Sequence, residues 1–309
     1  MSPDSSRYSA DDVSAGVSVP AAPAEEQSEV SLVAACYQLL RPGILAMVLV
    51  SMLAAAWIGE PMSWAAVAHA MIGTSAVIAG ALAANQRIER RGDSRMQRTA
   101  MRPLPSRRFS ARQVSLFAAV ATTVGVVYLA VACRPLVVGL AVTSWLLYVA
   151  AYTPLKYRSV WQTPVGAAAG AMPVLIGAAA ASQSINLGAW VLFGVLFLWQ
   201  FPHAMAIAWL YREEFRAAGV KLAVVTDPTG RSTAAMALAG ALCLLPLTLH
   251  PALAGWSPSY VGATSVAWVI QVIAAVRFAQ SRDDIRARHL LRASMLYLPV
   301  VLAAAVFAS

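Results

Sequence analysis

Asn85, Glu89 and Asp93 stand four residues apart in a stretch that also holds Arg87, Arg90, Arg91, Arg95, Arg98 and Arg102 and ends on Pro103-Leu104-Pro105. On a helix, positions i, i+4 and i+8 share one face, drifting only about 40° per step. Oxygen-bearing side chains on one face, with guanidinium groups beside them, are what a Mg²⁺–diphosphate complex requires. A hard divalent cation takes carboxylate and amide oxygens while keeping water and substrate phosphates, and arginine binds phosphate oxygens in pairs. Asn85, Glu89 and Asp93 are therefore the candidate Mg²⁺ ligands, and Arg98 and Arg102 the candidate diphosphate donors. The plainer alternative is an ordinary basic loop with two incidental acids. It explains the arginines but not the spacing of the acids.

Further along, Lys156 follows Tyr152-Thr153-Pro154 at the end of an apolar run. It suits either a point charge for diphosphate or a boundary lysine whose stem snorkels. His203 follows Pro202 inside another apolar run. Ionisable groups within a membrane span mark function by default, so His203 is a candidate substrate contact or proton acceptor; a histidine satisfied by a neighbouring helix is the alternative. Trp199 lies one turn before it, placed either to stack on a flat substrate or to fill the core. Glu213, Glu214 and Asp227, interleaved with Arg212, Arg216, Lys221 and Arg231, read either as a second anion- and metal-binding segment or as a solvated loop.

The elements that must position these groups are membrane spans. Of 309 residues, 59% are hydrophobic and 12% charged, against roughly 25% charged in soluble domains. Nine apolar segments, near 43–59, 63–84, 114–133, 135–153, 164–182, 187–210, 232–250, 258–279 and 289–308, approach the ~20 residues that a bilayer core requires. The expected fold is all-α, a bundle of nine transmembrane helices. Of 23 Lys and Arg, only Arg134 falls on the far side of such a bundle. The positive-inside rule then puts the N-terminus in the cytoplasm and every charged loop on one face. The net charge of +9 is spread over short loops between spans, which argues against nucleic acid as a partner and leaves membrane lipid. Cys36, Cys133 and Cys243 form no metal-binding or redox pair. Residues 1–36 read as a disordered cytoplasmic tail without a signal peptide, and 37–309 as the membrane domain.

Asn85-x3-Glu89-x3-Asp93-x2-Met96-x-Arg98-Thr99-x2-Arg102-Pro103-Leu104-Pro105 resembles the first polar motif of the heme O synthases (protoheme IX farnesyltransferases), a branch of the UbiA-type intramembrane prenyltransferases. Tyr152-Thr153-Pro154-Leu155-Lys156, with Gly166 and Gly170-Ala171-Met172-Pro173, resembles the central motif. Trp199-Gln200-x-Pro202-His203, then Trp209-x-Tyr211-Arg212-Glu213-Glu214 and Gly219, resembles the second polar region, and Ser294 to Leu298 the last span. The likeness runs from about residue 38 to 305. Four stretches depart from the family's pattern: Arg107 stands for Gly, Ala204 for Phe, Glu214-Phe215 for Asp-Tyr, and Leu222-Ala223-Val224 for Met-Leu-Pro.

The resemblance implies transfer of a farnesyl group from farnesyl diphosphate to a vinyl group of heme b, with Mg²⁺ as cofactor and a heme A synthase as a downstream partner. It implies catalytic roles for Asn85, Glu89, Asp93, Arg98, Arg102 and Lys156, and substrate contacts from Tyr152, Trp199, His203, Tyr211, Arg212 and Glu214. The implied location is a bacterial plasma membrane with the site on the cytoplasmic face. A quinone- or chlorin-directed prenyltransferase, and a non-catalytic heme-binding protein or transporter, are the competing readings.

Overall fold

The computed structural model describes residues 32–59, 62–182, 184–253, 255 and 257–308. In chain order the helices are α1 (Leu32–Leu40), α2 (Pro42–Ile58), α3 (Trp64–Asp93), α4 (Gln97–Ala100), α5 (Ala111–Ala132), α6 (Pro135–Trp145), a π-helix (Leu146–Tyr152), α7 (Thr153–Leu155), α8 (Gln162–Ala181), α9 (Leu187–Leu210), α10 (Arg212–Ala217), α11 (Ala223–Thr226), α12 (Arg231–Thr248), α13 (Pro258–Gln280) and α14 (Asp284–Ala308). Among the described residues there is no strand. Among the described residues eight spans are long and apolar enough to cross a bilayer, α6 to α7 counting as one, and the bent pair α1–α2 supplies a ninth. The chain is an integral, multi-pass membrane protein. Of the expected tail, residues 1–31 lie outside the described residues, and α1 begins at Leu32.

Local chemistry sets the helix limits. Ser63 caps α3 by accepting from the Ala66 amide at 3.3 Å, and Asn186 caps α9 through the Ala189 amide at 2.8 Å. Ser110 and Gln113 form a reciprocal capping box at the start of α5. Proline opens α2, α6 and α13, where its missing N–H costs nothing. The main departure from the expected spans is α3, which runs through the first polar motif to Asp93 instead of stopping near residue 84. Asn85, Glu89 and Asp93 thus ride on the helix that carries the span.

The Ala- and Gly-rich α8 sits at the centre, with 14 buried residues over its 20. Small residues let backbones approach where lipid offers no hydrophobic drive to associate. A Cβ added at Gly177 would lie 2.2 Å from the Met52 carbonyl oxygen of α2, so those backbones nearly touch. Packed on this axis, the bundle leaves a central space whose polar end is formed by the end of α3, the loop to α5 and the α7–α8 turn.

In that α3–α5 loop, Arg107 adopts φ 59°, a left-handed conformation. Glycine occupies it freely, whereas other L-residues are strained there by about 1–2 kcal/mol. Arg107→Gly is expected to raise the unfolding midpoint by up to about 1 kcal/mol of stability, after the entropic cost of glycine is deducted. Thermal unfolding in detergent checks this, and a lower midpoint counts against strain at Arg107.

Candidate active site

The three residues on the last turns of α3 are all buried, Asn85 at 0%, Glu89 at 6% and Asp93 at 1% exposure. Each has a different partner. The Asn85 amide donates to the Thr153 hydroxyl at 3.0 Å. Glu89 accepts from the Lys156 ammonium at 2.5 Å. Both Asp93 oxygens accept from Arg102 Nη1, at 2.7 and 2.8 Å. The loop that delivers Arg102 is tied down where the Thr99 hydroxyl donates to the Asp93 carbonyl at 2.8 Å.

The central motif reaches the same place through an irregular helix. Pro154 has no N–H to donate back along the helix, and the turn before it widens to a π-helix. The Thr153 hydroxyl reaches the Tyr148 carbonyl at 2.7 Å while accepting from Asn85. The widened turn stacks Tyr148 on Tyr152, centroids 5.5 Å apart, and sets Lys156 4.5 Å over the Tyr152 ring. A Cβ at Gly166 would fall 2.7 Å from that ring, so glycine there makes room for Tyr152. Burial works against the Lys156 ammonium, but Tyr152, Glu89 and Tyr148 outweigh it and hold its pKa above the ordinary lysine range. Arg102 is held below the usual arginine value by burial and by its neighbour Arg41, with Asp93 opposing.

The second polar region closes over this end. The Lys221 amide donates to the Lys156 carbonyl at 2.6 Å, and Gln162 donates to the Lys221 carbonyl at 3.3 Å. The Arg98 guanidinium stacks over Tyr211 at 4.8 Å and Phe215 at 5.8 Å, and its amide donates to Glu214 at 3.3 Å. Arg212 pairs with Asp284 at 2.8 Å and stacks on Trp209 at 4.8 Å. Glu213 pairs with Arg216. Asp227 accepts from the hydroxyls and amides of Thr229 and Ser232, which hold its pKa below the ordinary aspartate value.

Below the end of α3 and the α7–α8 turn lies a cavity of about 560 Å³, within the size range of small-molecule sites. Arg41, Arg98, Arg102 and Lys156 line it together with Glu89 and Asp93. Below them the wall turns largely apolar, through Tyr152, Tyr148, Trp145, Ile176 and Val77. Trp199 and His203 line one side, as does Ala204, where a larger side chain would narrow the space. Tyr211, Arg212 and Glu214 are not among its lining residues. Asn85 stands behind the lining, bonded to Thr153.

In the sequence Arg41 stands out only as one of the 23 Lys and Arg. It lines the cavity in a left-handed conformation (φ 47°), with its Nη2 buried and without a hydrogen-bond partner. Its sequence signal is a lone arginine immediately before the Pro42 that opens the first span. Thr153 and Ser294 belong to motifs read from the sequence but had no role there.

The model of the UbiA prenyltransferase family matches residues 44–298. The chain belongs to the UbiA prenyltransferase family. Among its relatives, the protoheme IX farnesyltransferase of Solibacter usitatus is 42% identical over 236 residues, covering 75% of this chain and 80% of that protein. The protoheme IX farnesyltransferase of Rhodopirellula baltica is 38% identical over 281 residues, covering 86% and 96%. The fold resembles a solved digeranylgeranylglyceryl phosphate synthase at TM-score 0.74 and 14% identity, covering 89% of this chain and 98% of that one. It also resembles a UbiA homologue from Archaeoglobus fulgidus bound to GPP and Mg²⁺, at TM-score 0.56 and 16% identity, covering 87% and 99%. In this chain the polar head of the cavity forms where the end of α3 meets the α7–α8 turn.

Proposed function

We propose that this chain transfers the farnesyl group of farnesyl diphosphate to a vinyl group of heme b, making heme O. The observation that carries the reading is the head of the cavity. Four cationic side chains and two buried carboxylates converge above an apolar chamber, in a chain 38–42% identical to two protoheme IX farnesyltransferases.

Arg41, Arg98, Arg102 and Lys156 bind the diphosphate and take up the negative charge that grows on its bridging oxygen as the C1–O bond breaks. Fixed, preoriented charges need no reorganisation at that moment. The farnesyl tail lies along the apolar wall lined by Tyr148, Tyr152 and Trp199, aromatic residues of the kind that stabilise a nearby cation. The terminal vinyl carbon of heme attacks C1, and water adds to the cation left on the neighbouring carbon, releasing a proton. Excluding water until the C–C bond has formed is the task of the packed bundle.

Mg²⁺ fits the residues present. Asn85 Oδ1 is buried and has no hydrogen-bond partner, an acceptor suited to a cation. Among the described residues no three His, Cys, Asp or Glu side chains gather as a metal site. One amide and two carboxylates match an ion that keeps waters and shares phosphate oxygens. Asn85, Glu89 and Asp93 would hold it, and it would supply Lewis-acid neutralisation of the leaving diphosphate. Tyr211, Arg212 and Glu214 support the closing segment, with Arg98 as the link. The one-sided distribution of Lys and Arg supports a cytoplasmic N-terminus and a site on the cytoplasmic face of a bacterial plasma membrane. On this reading residues 1–36 form a tail, 37–309 the prenyltransferase domain, and the product passes to a heme A synthase.

Expression in cells that lack their own heme farnesylation, followed by mass analysis of extracted heme, tests the reading. Heme O is expected. Heme b alone, with prenylation of an aromatic acceptor by the same membranes, would overturn it.

A further inference from the structure

A second cavity, of about 770 Å³, lies between α2 and α14. Its walls are apolar, including Met47, Leu53, Trp57 and Leu298, and Val50, Trp57 and Met295 are exposed on the bundle surface. Trp199 and His203 line both this groove and the central cavity.

Ser294 organises that shared wall. Its carbonyl accepts from Trp199 Nε1 at 2.6 Å, its hydroxyl is 3.0 Å from His203 Nδ1, and the same hydroxyl donates to the Leu291 carbonyl at 2.7 Å. The imidazole stacks on the indole, with centroids 4.8 Å apart and planes at 24°. A serine hydroxyl has one proton, and the Leu291 carbonyl can only accept, so when the proton goes there the oxygen is left to accept from His203 Nδ1. In that arrangement Nδ1 carries the ring proton and the lone pair is on Nε2, at the opposite edge. An imidazole whose far nitrogen donates to a fixed oxygen is the usual form of a metal-ligating histidine, because that bond sets tautomer and orientation. The stacked indole adds a second restraint on ring rotation.

Resting on the heme reading above, we propose that His203 Nε2 is an axial ligand to the iron of the acceptor heme, with Ser294 as its positioning residue. The macrocycle then lies against the apolar groove, and its vinyl edge reaches past Trp199 toward the donor. Iron ligation holds a flat and otherwise featureless ring at one distance from the reacting carbon, a task the apolar wall cannot perform by itself.

The full-length protein in lipid nanodiscs is titrated with heme b and with metal-free protoporphyrin IX, and the ferrous heme complex is examined by resonance Raman. The wild type is expected to show an iron–histidine stretching band, which His203→Ala abolishes. That variant should lose about tenfold or more in heme affinity while its protoporphyrin affinity stays within about threefold. Ser294→Ala should keep the band but shift it, because the Nδ1 proton loses its acceptor. Equal losses for heme and protoporphyrin, a band that persists in His203→Ala, or an unshifted band in Ser294→Ala would overturn the assignment. A wild type that takes up heme without the band overturns the ligation alone; one that takes up neither compound overturns the heme reading with it.

Discussion

Asp93→Asn is expected to slow prenyl transfer by about 10²–10³-fold, the loss typical when one preorganised charge-stabilising group is removed from a site. Asparagine keeps the shape of the side chain, which is 1% exposed on the last turn of α3. It removes the anion that faces Arg102, where one guanidinium nitrogen now reaches both oxygens at 2.7 and 2.8 Å. Arg102 keeps some access to water, with 22% of its side chain exposed, so the protein should fold and insert with a stability loss of about 1–2 kcal/mol. Diphosphate release in a single turnover, read beside the unfolding midpoint, separates the two effects. Turnover within about threefold of wild type would show that Asp93 acts only as a loop anchor.

Lys156→Met should be more damaging, and on both counts. Glu89 has 7% side-chain exposure, and its ion pair with Lys156 spans 2.5 Å. Removing one member of a buried pair typically costs about 3–5 kcal/mol, because the other charge stays behind unpaired. The same change removes a cation from the cavity head. The double variant Glu89→Gln/Lys156→Met no longer strands a charge, and most of the lost stability should return while turnover remains depressed by at least about 10²-fold. Recovery of turnover together with stability would make the pair a structural brace and exclude Lys156 from diphosphate binding.

Much of this was legible from residue types. Apolar run lengths marked α9 and α13, which begin where the runs do, but not the end of α3, which runs nine residues past its apolar stretch. The shared face of Asn85, Glu89 and Asp93 followed from their spacing, which α3 realises by continuing as one helix. The partners were not legible. Thr153 and Lys156 come from 68 and 67 residues beyond Asn85 and Glu89, and no local pattern encodes such pairings. Adjacency also says little about direction. Arg212 sits between Tyr211 and Glu213 in the sequence, yet turns to Asp284, 72 residues away, while Tyr211 receives Arg98. Arg41 reads as an orientation charge until the bend between α1 and α2 is known to turn it inward. The glycine-to-arginine departure at Arg107 acquires meaning only through its φ.

The two acids on α3 differ in when they can be neutralised as the chain is made. Asp93 finds its counter-ion nine residues on, so that pair can form as soon as the connecting loop has left the ribosome. Glu89 must wait for Lys156, two further membrane crossings later. Until then its carboxylate has to remain at the lipid headgroups or hold a proton, because an unpaired anion is costly in hydrocarbon. The end of α3 therefore settles only after the fourth span has been synthesised, and a nascent chain arrested before Lys156 would carry a half-assembled site.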